Sequence, residues 1–217
     1  MGTLSARIET KVAYACTKRR CGIETTIVVS NPSLAETFVP AFFIFNLIYN
    51  RTKVIMDINS IKLHPEFPQK TWIVVEQPRG EPYRIYYDPI SRAFSRSAHV
   101  RSLSYERGFS GAYGWIGGSG LPPEPHHDVL LVTGQSPSLG DILTGYICGV
   151  FLRKDNDHKF VAVDEEIKHT MAAADLMCLS DARYRELLRL YPRVGEGEGW
   201  YGAQVAFSYI LKKPLSL

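Results

Sequence analysis

From residue 71 onward, apolar residues come in short bursts or alternate with polar ones, a spacing that predicts strands. Thr71-Trp-Ile-Val-Val-Glu76 is an apolar burst that ends on a glutamate. Pro82-Tyr-Arg-Ile-Tyr-Tyr-Asp88 alternates, and Asp88-Pro-Ile-Ser91 reads as a turn. Asp128 to Thr133 and Leu143 to Arg153 are apolar strands. Lys154 to His158 is the hairpin turn that returns Lys159-Phe-Val-Ala-Val163 as a partner strand. The period then lengthens. Asp164 to Met177 is rich in Ala, Met and Leu, and Ser180 is placed to cap a helix over Asp181–Leu190 that Pro192 stops. Gly202 to Lys212 reads as a third helix, with Val205, Tyr209 and Ile210 on one face. Strands first and helices after predict an α+β fold with a small barrel.

The first third reads differently. Thr26 to Asn50 carries one charge, Glu36, and its densest part is Phe38-Val-Pro-Ala-Phe-Phe-Ile-Phe-Asn-Leu-Ile-Tyr49. That run is too short to span a bilayer, and Pro40 and Asn46 interrupt it. It reads first as a buried strand pair or a helix packed on the main domain, and second as a segment facing a partner or a membrane. The opening 22 residues are basic, with Glu9 the one acid, and faintly resemble an organellar presequence. They point to a mitochondrion or another organelle, with the cytoplasm as the alternative.

Charge sharpens the division. Residues 1–70 hold nine Lys/Arg against five Asp/Glu, a net of +4; residues 71–217 hold 16 against 17, a net of −1. This divides the chain into a basic N-terminal extension, 1–70, and a near-neutral domain, 71–217. The 217 residues are 45% apolar, enough for one sizeable core and too apolar for wholesale disorder. Tyr83, Tyr86 and Tyr87 on one strand invite base stacking, yet a net of −1 leaves the barrel little electrostatic footprint for nucleic acid. Cys16 and Cys21 frame Thr-Lys-Arg-Arg, no second close pair completes a zinc site, and reduced intracellular thiols are the plain reading.

Several polar residues sit where a solvated face does not demand them. Asp155, Asp157 and Lys159 cluster at one hairpin, Asp128 opens a buried strand, and Glu76 closes an apolar one. Carboxylates two apart on a strand face the same way and suit hard cations, which take oxygen ligands. Arg84, Arg101 and Lys159 are then available to neutralise a phosphate. Singly each has a dull alternative: Asp155 and Asp157 are ordinary turn residues, and Arg101 an ordinary surface arginine.

Together the blocks resemble the soluble family I inorganic pyrophosphatases. The resemblance runs from residue 72 to 207, about two-thirds of the chain. It passes through WIVVEQPRGEPYRIYYD, VRSLSYERGFSGAYGWI, DVLLVTG and CGVFLRKDNDHKFVAV to EGWYGAQVA. The spacing from Arg101 through Tyr113 to Asp128 fits without a gap. The resemblance implies an OB-like five-stranded β-barrel flanked by C-terminal helices, Mg²⁺ as cofactor where the site survives, and pyrophosphate hydrolysed to two phosphates. It implies metal ligands at Glu76, Asp128, Asp155 and Asp157. It implies phosphate contacts from Arg84, Arg101, Lys159 and Tyr191, and residual catalytic roles for Tyr113 and Lys159.

The chain also departs from that pattern. Arg84 stands in place of a lysine, trading a point charge for a planar fork. Phe109 replaces a tyrosine. The late Tyr-Lys pair reads Tyr191-Pro192, with Arg193 the residue left to supply the charge, and the hairpin at Asp155 is shorter. The signature Asp-x-Asp-Pro-x-Asp reads Pro123-Glu-Pro-His-His-Asp128, so of its three carboxylates only the last survives. The residue expected to act as general base is a proline. Glu124 would point elsewhere on an extended chain, and of His126 and His127 at most one faces the site. The leading expectation is a degenerate pyrophosphatase fold, retaining phosphate or pyrophosphate binding. It would serve as a structural subunit of a larger assembly, held through residues 1–70. The rival is a working metal-dependent enzyme in which Glu124 or a histidine substitutes.

Overall fold

The computed structural model describes the backbone of residues 8–17 and 20–29, and residues 57–192 and 195–211 in full. The chain divides into two compact units, Met1–Ile55 and Met56–Leu217. In the first, β1 (Ile8–Thr17) and β2 (Arg20–Val29) form an antiparallel hairpin in which Thr17 faces Arg20 and Cys16 faces Cys21. Of the apolar stretch 26–50, Thr26–Val29 lie in β2, and the remainder lies outside the described residues.

The second unit is built on β3 (Lys70–Gln77), β6 (Ala112–Ile116), β7 (Asp128–Val132), β8 (Ile142–Leu152) and β9 (Lys159–Val163). They pair in the order β8-β3-β6-β7-β9, and β9 closes back onto β8, giving a five-stranded mixed barrel. The β7–β9 pairing is parallel and the others are antiparallel. A sixth strand, β10 (Gly199–Gly202), pairs with β8 outside the ring. A separate hairpin, β4 (Tyr83–Asp88) with β5 (Ala93–Arg101), stands beside β3. Closure removes the exposed strand edges that an open sheet of this size would carry.

The apolar bursts have a simple cause. Every residue of β7 and β9 is buried, because alternate side chains serve two different cores. Val129, Leu131, Phe160 and Ala162 pack with Ile73 and Ile116. Leu130, Val132, Val161 and Val163 pack with Leu187 and Leu190 of α3 (Asp181–Leu190). Helix α4 (Ala203–Ile210) gives Ala206 and Ile210 to the first core. Residues 57–69, grouped by charge with the extension, pack on the barrel: Leu63 and Phe67 lie against the first core, and the Asn59 amide donates to the Pro89 carbonyl at 2.8 Å.

Gly114 shows how tightly β6 approaches β3. A Cβ there would sit 1.9 Å from the Val74 carbonyl oxygen. Gly114→Ala is therefore expected to lower stability by about 3 kcal/mol or more, since overpacking against backbone has no rotamer escape. Urea denaturation at constant slope checks this, and a loss below about 0.5 kcal/mol, the usual scatter of harmless substitutions, would contradict it.

Three helical expectations need correction. The predicted helix Asp164–Met177 is only α2 (Glu165–Thr170). Asp164 caps it, accepting from the Ile167 amide at 2.8 Å, but the chain turns extended at Met171. That break lets Met171 and Leu176 both enter the second core. A short 3₁₀ turn, Leu176–Cys178, follows. Ser180 stands at the N-terminus of α3 but makes no side-chain capping bond. Gly202 belongs to β10, and α4 starts one residue later. The pattern also missed the barrel strand β6, the outer strand β10, β5, whose residues are mostly exposed, and the single turn α1 (Leu103–Glu106).

Candidate functional site

Strand β3 carries a register shift against β6 between Val75 and Gln77, which takes Glu76 out of the ladder. Glu76 and Gln77 then reach toward β4 with their side chains. The Glu76 carboxylate accepts from the Tyr87 amide at 3.2 Å. The Gln77 side chain accepts from the Ile85 amide at 3.1 Å and donates to the Tyr83 carbonyl at 2.9 Å. These bonds hold β4 in place and so aim Arg84, which lies between Ile85 and Tyr83. Its guanidinium stands over the rings of Tyr86 and Tyr113, at 5.5 and 5.9 Å from their centroids.

The floor comes from the parallel pairing. β7 and β9 set Asp128 directly opposite Lys159, and the Lys159 ammonium donates to the Asp128 carboxylate. The same ammonium donates to Asp157 at 2.7 Å. On the other side of Asp128, the His126 Nε2 lies 3.0 Å from Oδ1. Arg153, at the end of β8, reaches Asp157 at 3.0 Å and Asp155 at 2.8 Å. Tyr191 is fixed by stacking on Phe151, with centroids 4.5 Å apart.

These groups surround a cavity of about 740 Å³, within the range of small-molecule sites. Glu76, Arg84, Tyr113, Asp128, Asp157, Lys159 and Tyr191, all singled out from sequence, line it. Arg101 and Asp155 do not. Arg101 lies across β4–β5 from Tyr83, over the Tyr83 and Tyr105 rings and 3.8 Å from Glu106. Asp155 is at the exposed hairpin tip, where it accepts from the Asp157 amide at 3.1 Å. Pro123 and His126 line the cavity, whereas the Glu124 side chain does not. His127 turns to pack its ring on Phe160, 5.1 Å away. Arg193 lies outside the described residues. Sequence reasoning missed Arg153, whose signal was its place two and four residues before Asp155 and Asp157 at a hairpin mouth.

Electrostatics follow from this crowding. Burial resists ionisation of Asp128, but His126 and Lys159 outweigh it and hold the carboxyl well below the usual range. Burial also opposes the charge on His126, and the Asp128 carboxylate outweighs it, so the imidazole keeps its proton above the usual histidine range. Burial raises Glu76, against the pull of Arg84. Burial also pushes Tyr191 up to about 12 and lifts Tyr113 well above an ordinary phenol. The Cys148 thiol, wholly buried in the second core, is raised as well.

These last three groups give a pH prediction. Each must stay neutral in the fold, while its unfolded counterpart ionises from about pH 9 or 10. Their stabilisation is complete below the unfolded values and is lost as pH rises toward the folded ones. Stability is expected to fall by up to about 1.4 kcal/mol per pH unit per group above that point. Thermal melts between pH 8 and 11 check it, and a flat melting temperature would contradict it.

The carboxylates facing the cavity do not fit a Mg²⁺ cluster. Such a site needs carboxylate oxygens free to face the ion. Here Asp128 holds Lys159 and His126, Asp157 holds Lys159 and Arg153, Asp88 holds Ile90 and Ser91, and Glu76 holds the Tyr87 amide with one oxygen, which leaves a single free carboxylate oxygen for an ion. Among the described residues, no group of three His, Cys, Asp or Glu is arranged to hold a metal ion. No helix among them is long and apolar enough to cross a membrane.

No family model matches this chain, and a search of curated proteins finds no match either. Solved structures do match it. An inorganic pyrophosphatase from Neisseria gonorrhoeae shares 24% identity with a TM-score of 0.57, covering 72% of this chain and 96% of that one. The enzyme from Thermus thermophilus shares 18% at a TM-score of 0.55, covering 72% and 95%. The enzyme from Ehrlichia chaffeensis shares 16% at 0.56, covering 71% and 99%. At these identities the likeness is one of architecture: the barrel, its sixth strand and its helices are the fold of inorganic pyrophosphatases.

Proposed function

We propose that this chain is a pyrophosphatase-fold protein with a degenerate active site, which binds phosphate or pyrophosphate and does not hydrolyse it. The observation that carries the reading is the state of Asp128. Asp128, the one position of the stretch that keeps the aspartate the resemblance implies, is engaged on both oxygens, by Lys159 and by His126. Pro123 forms part of the cavity wall where a second signature carboxylate is expected, and the Glu124 side chain lies off the lining. Of the cavity's other carboxylates, Glu76 is held through one oxygen by the Tyr87 amide and Asp88 is held by Ile90 and Ser91.

The role is then structural. The basic N-terminal extension, set apart by its net +4, attaches the barrel to other protein subunits of a larger assembly, within an organelle. Neither Mg²⁺ nor another cofactor is required for that role. Phosphate release from pyrophosphate, measured with Mg²⁺, Mn²⁺ and Zn²⁺ in turn, tests the non-catalytic half. Turnover like that of an ordinary pyrophosphatase would sink it.

A further inference from the structure

The cavity is saturated on one side of its charge balance and unsaturated on the other. Its carboxylates are engaged as described above. Its cations have donors to spare. A guanidinium offers five N–H donors and an ammonium three. Arg153 spends one from each terminal nitrogen, on Asp157 and on Asp155. Lys159 spends two of its three, on Asp128 and Asp157. Arg84 makes no ion pair or hydrogen bond among the described residues and stands over the Tyr86 and Tyr113 rings. Unspent donors therefore outnumber the acceptors left free: Asp128 and Asp157 are engaged on both oxygens, Asp88 is held by Ile90 and Ser91, and Glu76 keeps one free oxygen.

From this arrangement we infer that the cavity takes a phosphate-class oxyanion free of divalent metal, with Arg84, Arg153 and Lys159 supplying the positive charge. The inference rests on the binding half of the proposed function and goes beyond it in naming the ionic form of the ligand. Phosphate oxygens and guanidinium forks match in geometry, and such charge-assisted bonds are among the stronger hydrogen bonds. Arg84 is free to turn from the tyrosine faces onto the anion. Arg153 and Lys159 are held in place by the aspartates, which pre-orients their remaining donors and lowers the ordering cost of binding. A metal-complexed anion would arrive with its charge partly neutralised, and its metal would face Asp128 and Asp157 with both oxygens already occupied.

The test is calorimetric titration of inorganic pyrophosphate into the full chain, once in EDTA and once in excess Mg²⁺. Saturable binding in EDTA is expected. With Mg²⁺ complexing about nine-tenths of the ligand, apparent affinity should fall about tenfold, because only the uncomplexed fraction binds. Arg84→Ala should weaken binding in EDTA by about tenfold or more, the loss of a charged hydrogen-bonding partner. Circular dichroism separates that loss from misfolding, and Arg84→Lys should recover part of the affinity. Equal or tighter binding in Mg²⁺ overturns the inference while leaving a non-hydrolytic binding protein intact. An Arg84→Ala variant that binds normally overturns the assignment of Arg84. Absence of binding under both conditions removes the binding half of the proposed function together with this inference.

Discussion

Pyrophosphate mixed with the purified chain and Mg²⁺ is expected to release phosphate far more slowly than with an intact pyrophosphatase. A positioned general base contributes about 10²–10⁴-fold, and the resemblance to pyrophosphatases implies that a proline of the Pro123-Glu-Pro125 stretch stands in its place. The remaining catalysis in phosphoryl transfer is positioning and charge neutralisation. Positioning suffers too, because Asp128 and Asp157 hold Lys159 rather than standing free. Losses from these sources compound, so a rate at least about 10⁴-fold down is the expectation. A colorimetric phosphate assay measures it. A deficit of tenfold or less would show that another residue has taken over as base.

Lys159→Ala should be among the most destabilising single changes in the barrel. The lysine side chain is 8% exposed and the Asp128 side chain 12%. Removing one partner of a buried pair costs about 3–5 kcal/mol when the other is stranded; here His126 still compensates Asp128, so the lower end of that range is expected. That is a large part of the roughly 5–15 kcal/mol a domain holds in total. The pH dependence gives a second reading. With its carboxyl held below the ordinary range, Asp128 contributes stability that is present above pH 4 and lost as pH falls through the folded value. In Lys159→Ala part of this acid dependence should vanish, because the ammonium no longer favours the charged carboxylate while His126 still does. Urea midpoints at pH 7 and at pH 3 measure both effects. A variant within 1 kcal/mol of the parent at pH 7, with unchanged acid dependence, would contradict the pairing.

Much of the barrel was legible in the sequence because its strands bury both faces. Asp128–Val132 and Lys159–Val163 read as continuous apolar runs, and no helix of that length bounded by turn residues competes with them. The surface hairpin strand Ala93–Arg101 left no such trace, since its exposed residues face water on both sides. The helix read over Asp164–Met177 failed for a different reason: its apolar residues serve the core from a broken chain, with Met171 and Leu176 inserted separately. Tertiary packing overrode local propensity there.

The candidate site was legible where the ladder decides position. The β7–β9 register alone brings Asp128 to Lys159. It was illegible where side chains choose among partners. Nothing in the order Arg153-Lys-Asp-Asn-Asp-His158 says that Arg153, rather than Asp155, turns to the cavity, because a tight hairpin tip does not keep strand alternation. Nor does the resemblance reveal that Glu76 is spent on the Tyr87 amide, a bond that depends on the register shift beside it.

In the reading proposed above, Asp128 and Asp157 are held by the protein's own cations in place of a metal. Calorimetric titration of Mg²⁺ into the chain, without pyrophosphate, tests it most directly. No saturable heat is expected through the millimolar range. Stoichiometric Mg²⁺ binding in that range, abolished by Asp128→Asn, would contradict it.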